Sequence, residues 1–98
     1  MLNEQKGRSC TYDASNRSAR VDVRPGGGSP SEVSGSVLLD DAGGVVGVDL
    51  DPDGPARLVI MVGTHEAVAR TRATRLSVSR DANGQVAHVV VHGIERPR

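Results

Sequence analysis

Short valine-rich runs alternate with turn residues along this chain. In residues 19–23 every second position is apolar, and Arg20 and Asp22 lie between them, which is typical of a half-buried β-strand. Residues 37–39 and 58–62 are continuously apolar instead, which indicates strands covered on both faces. The pattern predicts strands over residues 9–12, 19–23, 33–39, 45–50, 57–62, 75–80 and 85–92.

Acidic turns separate three pairs of these strands, at residues 40–44, 51–54 and 81–84. Each turn combines glycine with Asp, Asn or Pro within four or five residues, and these residue types favour tight hairpin turns. Strands this short with turns this frequent indicate a mainly β protein. We expect a small antiparallel barrel or sandwich of six or seven short strands.

Residues 65–72 support two interpretations. Thr64 can cap a helix, Glu66 suits the positive helix N-terminus, and Glu66 and Arg70 are four residues apart, so one short helix is predicted there. The alternative is one long strand that continues to residue 80, because Ala69, Thr71 and Ala73 alternate with arginines.

The remaining segments complete the predicted domain organisation. Residues 9–92 form a single β domain, with a flexible glycine and proline loop at residues 25–32. Residues 1–8 and 93–98 are expected to be a disordered N-terminus and a disordered tail.

The core has to form almost without aromatic side chains. The 98 residues include no Phe and no Trp, and Tyr12 is the only aromatic residue. Because aromatic side chains bury the most surface per residue, a domain of this size gains from further burial between subunits. We therefore expect a homo-oligomer.

Charge and composition restrict the partners. Twelve basic and twelve acidic residues balance, whereas a nucleic-acid-binding domain normally carries a basic excess. No stretch is apolar enough to span a membrane or to serve as a signal peptide, and Cys10 has no second cysteine with which to pair. We expect a cytoplasmic protein with no membrane partner and no cofactor.

Residues 10–50 resemble a family of short, uncharacterised bacterial β domains. The matching features are the Tyr12-Asp13 opening, the alternating residues 19–23, and an Asp-Gly hairpin between the apolar strands of residues 38–50. The resemblance implies a small β fold and brings no established activity.

One acidic turn also resembles the start of a calcium loop. Asp49, Asp51 and Asp53 alternate before Gly54, so their carboxylates could converge on one hard cation. Ile60 stands where an EF-hand needs its bidentate glutamate, and Arg57 where a shorter calcium loop needs an acid. A plain turn is therefore preferred to a metal site.

Three histidines are candidate ligand-binding residues: His65, His88 and His92. On one strand, His88 and His92 would share a face but lie about 13 Å apart, too far for one metal ion. They form either a solvated face or a polar part of a ligand cavity.

Four arginines form the densest basic stretch and are candidates for binding an anion or a partner: Arg70, Arg72, Arg75 and Arg80. In a strand, Arg70, Arg72 and Arg80 would point the same way. Acidic turns of a neighbouring subunit are a more economical partner than RNA, since no aromatic residue can stack on bases.

No Ser-His-Asp or Cys-His pattern is visible in the sequence. We therefore expect a non-enzymatic binding or accessory module that acts through self-association and protein–protein contacts. One alternative is a small-ligand-binding β-barrel, in which His88, His92 and Asp49 could also act in catalysis. The other is a calcium-stabilised β domain.

Overall fold

The computed structural model describes residues 3–97, which form one curled β-sheet. One 3-10 turn, His65–Ala67, is the only helical element of these residues. None of their helices is long and apolar enough to cross a membrane. The strands are β1 (Asn3–Lys6), β2 (Ser9–Asp13), β3 (Ser18–Asp22), β4 (Ser31–Leu39), β5 (Val45–Leu50), β6 (Leu58–Met61), β7 (Arg70–Arg80) and β8 (Val86–His92).

The strands lie in the order β1-β6-β5-β4-β7-β8-β3-β2. Neighbours are antiparallel except β1 and β6, which are parallel. The sheet curls into a half-barrel of eight strands, so the mainly β class is confirmed and the strand number is one higher than predicted. The added strand is β1, whose polar side chains hid it in the sequence.

The first segment of the chain contacts both sides of the curl. β1 pairs with β6, and the amide of Gly7 donates to Met61 O at 2.7 Å. The next amide, that of Arg8, donates to Asp22 O at 2.6 Å, and β2 continues along β3. The prediction that residues 1–8 are disordered is therefore wrong for residues 3–8; residues 1 and 2 lie outside the described part of the chain.

Small aliphatic side chains fill the inside of the curl. Ile60 and Leu76 are the largest fully buried ones, and Tyr12 packs at the margin of the core. The hydroxyl of Tyr12 accepts a hydrogen bond of 2.9 Å from the amide of Val45, which joins β2 to β5 across the sheet. The other fully buried members of the core are Ala19, Val21, Val37, Val48, Val86, Ala87, Val89 and Val91.

Strand β5 is buried on both faces, and its buried residues include the charged Asp49. A bulge at Val46, opposite the step from Leu38 to Leu39, turns that side chain to the outer face. There it packs with Val59 and Met61, and Val68 covers this second cluster.

The helix predicted over residues 65–72 does not form. The 3-10 turn and the start of the long strand β7, which was the alternative interpretation, occupy this segment. Thr64 makes no side-chain cap, and β7 begins at Arg70. From Arg70 to Val78 each residue of β7 has a partner in β4, and this continuous ladder satisfies more backbone groups than one short helix could.

Two more boundaries differ from the sequence prediction. Residues 31 and 32 of the predicted loop belong to β4, and the amide of Gly28 donates to Arg80 O at 3.0 Å. In the predicted tail, Ile94 is 4% exposed within the core, and its amide donates to Arg17 O at 3.0 Å. The tail prediction is therefore wrong at Ile94, and residue 98 lies outside the described residues.

A substitution at Gly35 tests how tightly the inside of the curl is packed. A Cβ atom there would lie 2.5 Å from Asp49 O and 2.6 Å from the Leu76 side chain. We expect Gly35→Ala to lower the free energy of unfolding by about 1–3 kcal/mol in urea denaturation, because the backbone of β5 would have to move. The matched control is Gly28→Ala, where the nearest atom is 3.8 Å away, and an equal loss in both variants would contradict this account.

Candidate functional site

Two of the four candidate arginines lie together at one end of the sheet. Arg70 and Arg72 line a cleft of about 690 Å³ with Arg17, Arg96 and Glu95. We call this the arginine cleft. Arg17 and Arg96 were not predicted, because they lie in a turn and a tail far from β7 in sequence, and only the fold brings them together.

The other two candidate arginines lie elsewhere. Arg75 faces the outer side of the sheet and pairs with Glu32 at 3.1 Å. Arg80 lies at the opposite end of β7, where it donates to Gly84 O at 3.0 Å. Arg80 therefore lies apart from Arg70 and Arg72, since the length of an extended strand separates them.

The cleft exists because β7 is longer than β8. Strand β4 follows β7 as far as Arg70, whereas β8 first pairs with β7 at Leu76. At Gly93, φ is 74°, and the chain turns away toward Arg17. Within residues 3–97, no strand pairs with the second side of residues 70–74, which we call the open edge.

Side chains bridge part of the space between the open edge and the end of β8. The Arg72 guanidinium donates to the carbonyl oxygens of His92 and Gly93 at 3.3–3.4 Å. Arg17 pairs with Glu95 at 3.3 Å, so the one carboxylate that lines the cleft within residues 3–97 already has a cation. A smaller depression of about 330 Å³ lies beside Leu39 and Thr71. The open edge is therefore accessible and positively charged.

Two nearby acids are already engaged in their own turns. The carboxylate of Asp13 accepts from the amides of Ser15 and Asn16, at 3.0 and 3.3 Å. The carboxylate of Asp40 accepts from the amides of Ala42 and Gly44, at 3.0 and 2.7 Å. These bonds hold both acids to backbone amides, so neither acid takes up Arg70 or Arg96, whereas Arg72 and Arg17 already have contacts within the described residues.

The three histidines do not form one site. His65 Nε2 lies 2.6 Å from a carboxylate oxygen of Glu4 beside β6, whereas His88 and His92 lie on β8. Three strands, β5, β4 and β7, separate β6 from β8. A bulge opposite Ser79 and Arg80 turns Val86 into the core, so that it does not share the face of His88.

His88 is covered by the glycine loop. Its Nδ1 is buried without a partner among the described residues, and a Cβ atom at Gly27 would lie 3.0 Å from its ring. Burial lowers the pKa of His88, and the charge of Arg20 lowers this pKa further. The neutral ring then serves as part of the packing under the loop.

One of the three candidate calcium ligands is engaged in an ion pair. Asp49, whose side chain is 9% exposed, takes both hydrogen bonds from Arg57, at 3.1 and 2.8 Å. This pairing raises the pKa of Arg57. Asp51 and Asp53 lie on the exposed turn after β5, and residues 3–97 hold no group of three His, Cys, Asp or Glu arranged for a metal.

Cys10 lies beside Tyr12 on the inner face of β2. Burial raises the pKa of both side chains, so the thiol stays protonated at neutral pH. A protonated thiol is a poor nucleophile, so this environment does not activate Cys10.

Comparison with known proteins adds no family to this description. No protein-family model matches the chain, and no curated protein or solved structure is significantly similar to it. The resemblance of residues 10–50 to short bacterial β domains therefore stays a prediction, and the geometry alone supports the functional argument.

The Asp49–Arg57 pair can be tested by substitution. We expect Arg57→Gln to lower the melting temperature by on the order of 5 °C, because it leaves a buried carboxylate without its cation. Arg75→Gln is the control, since its pair with Glu32 is exposed and contributes little. An equal shift in both variants would contradict this, and full rescue of Arg57→Gln by calcium would favour the metal hypothesis.

Proposed function

We propose that this chain is a non-enzymatic binding module that acts through protein–protein contacts. Its partner is an extended, acidic segment of another polypeptide, which adds to the sheet along the open edge of β7. The observation that carries this proposal is the juxtaposition of an unpaired strand edge with four guanidinium groups.

The open edge supplies the main-chain part of the interaction. In a strand, every second residue directs its N–H and C=O to the same side, so residues 70–74 present a row of donors and acceptors away from β4. An extended peptide satisfies these groups by β-augmentation. Arg70, Thr71, Arg72 and Ala73 are all exposed, so the edge can be reached from solvent.

The arginine cleft supplies selectivity. Arginine binds carboxylates through two parallel hydrogen bonds, and such charge-assisted bonds are about twice as strong as neutral ones. Arg70 and Arg72 are two residues apart and lie on the same face of β7 as Leu76. Acids at alternate positions of an added strand would lie beside them.

The same charges make a second copy of the chain a poor occupant of this edge. Two copies paired antiparallel along residues 70–74 would bring their Arg72 side chains together, and like charges directly opposite destabilise a sheet. The acidic residues Asp51, Asp53 and Asp81 lie on tight turns, which cannot lie along the edge as a strand. A different protein with an acidic extended segment is therefore favoured over self-association here.

A peptide titration tests this proposal. We expect a synthetic peptide of alternating Glu and Val to shift the NMR signals of residues 70–75 in ¹⁵N-labelled protein. Added salt should weaken the binding, because exposed charges are screened. The double variant Arg70→Glu with Arg72→Glu should lose at least about tenfold in affinity, since two charge-assisted bonds are removed.

The controls separate the edge from general charge attraction. A Lys and Val peptide should not bind, and Arg80→Glu, at the other end of β7, should bind as the unaltered protein does. Equal binding by the double variant, or shifts elsewhere only, would contradict the proposal. If light scattering shows that the unaltered protein is a dimer and that the double variant is a monomer, the partner at this edge is a second copy of the chain. That result would contradict an acidic segment of another protein as the partner.

A further inference from the structure

A second and larger cavity lies at the other end of the curl. Its volume is about 770 Å³, within the range of small-molecule sites in proteins. Its apolar lining comes from four strands, and its rim is polar. The apolar residues are Val33, Leu50, Leu58 and Val86, and the rim residues on which the argument depends are Gln5, Gln85 and Arg80.

Arg24 holds two of these rim residues in a defined orientation. Its Nη1 donates to Gln85 Oε1, and its Nη2 donates to Gln5 Oε1 at 3.3 Å. A guanidinium group can only donate, so each glutamine must turn its oxygen toward Arg24. Both carboxamides are thereby left with their N–H₂ groups as the unused hydrogen-bonding atoms.

Two arginines supply further donors at this end of the curl. Arg24 Nε is buried and has no hydrogen-bond partner among the described residues, and an unsatisfied buried donor is costly in a protein. Arg80 uses Nη1 for Gly84 O, and the rest of its guanidinium group is uncommitted within the described chain. The rim therefore offers these donors above an apolar floor, together with the carboxylates of Asp51 and of Glu4, which contacts His65 at 2.6 Å.

We infer that this cavity binds a small aliphatic monocarboxylate. The carboxylate would accept from Arg80 and from the glutamine N–H₂ groups, and the aliphatic part would lie on the leucine and valine side chains. Glu4 and Asp51 also line the cavity, and their charges disfavour a ligand with two acidic groups. This site is separate from the open edge of β7, so either proposal can fail without the other.

The test uses octanoate as the probe. We expect octanoate to shift the NMR signals of Leu50, Leu58, Val86 and the Gln85 side chain, with saturation in the millimolar range or below. Octan-1-ol, with the same chain length and no charge, should bind at least about tenfold more weakly, because it cannot accept charge-assisted bonds. Equal affinity for octanoate and octan-1-ol, or no saturable shift, would overturn the inference.

Two substitutions address the rim directly. Gln85→Glu keeps an acceptor for Arg24 but adds a negative charge, and Arg80→Gln removes the guanidinium group. Each should weaken octanoate binding by about tenfold or more. Arg75→Gln, on the outer face of the same strand as Arg80, is the matched control and should not change the affinity. Circular dichroism verifies folding of each variant, and unchanged binding in both rim variants would overturn the inference.

Discussion

The structure depends on the hydrogen bonds that the N-terminal segment makes to both sides of the curled sheet. Gly7 bonds to Met61 and Arg8 bonds to Asp22, so one short segment links β6 to β3. A core of valine, leucine and isoleucine side chains without Phe or Trp buries little apolar area, so exposing part of it to solvent would remove a large share of its stabilisation. Linking the two sides of the curl keeps this small core enclosed.

Both candidate sites follow from this enclosure, because each lies at one of its ends. At one end β7 extends past β8, and Arg17 and Arg96 come to lie beside Arg70 and Arg72. At the other end Arg24 bridges Gln5 of β1 and Gln85 before β8, above the apolar floor of the cavity. Local differences in strand length and pairing thus produce two polar sites on one apolar core.

Sequence reasoning captured the elements that local patterns determine. The alternation of residues 19–23 and the Asp-Ala-Asn-Gly turn at residues 81–84 each predict the strand or hairpin that forms. It missed β1, whose residues are polar and gain a strand conformation only by pairing with β6. It also predicted a helix where a long ladder with β4 decides the structure.

The candidate sites were less predictable for the same reason. The sequence places Arg57 where a calcium ligand should be, and the structure shows this arginine bound to Asp49. By contrast, the arginine cleft joins residues from a turn, a strand and a tail, and the Arg24 bridge joins a loop to two glutamines 80 residues apart in the chain. No local pattern encodes such long-range contacts.

The central claim is that residues 70–74 form an edge that is open and that a partner strand can complete. Amide hydrogen exchange measured by NMR, with and without the acidic peptide, tests it most directly. The account predicts that alternate amides in this segment exchange rapidly in the protein alone and become protected when the peptide binds. Uniform protection without the peptide, or rapid exchange that the peptide leaves unchanged, would contradict it.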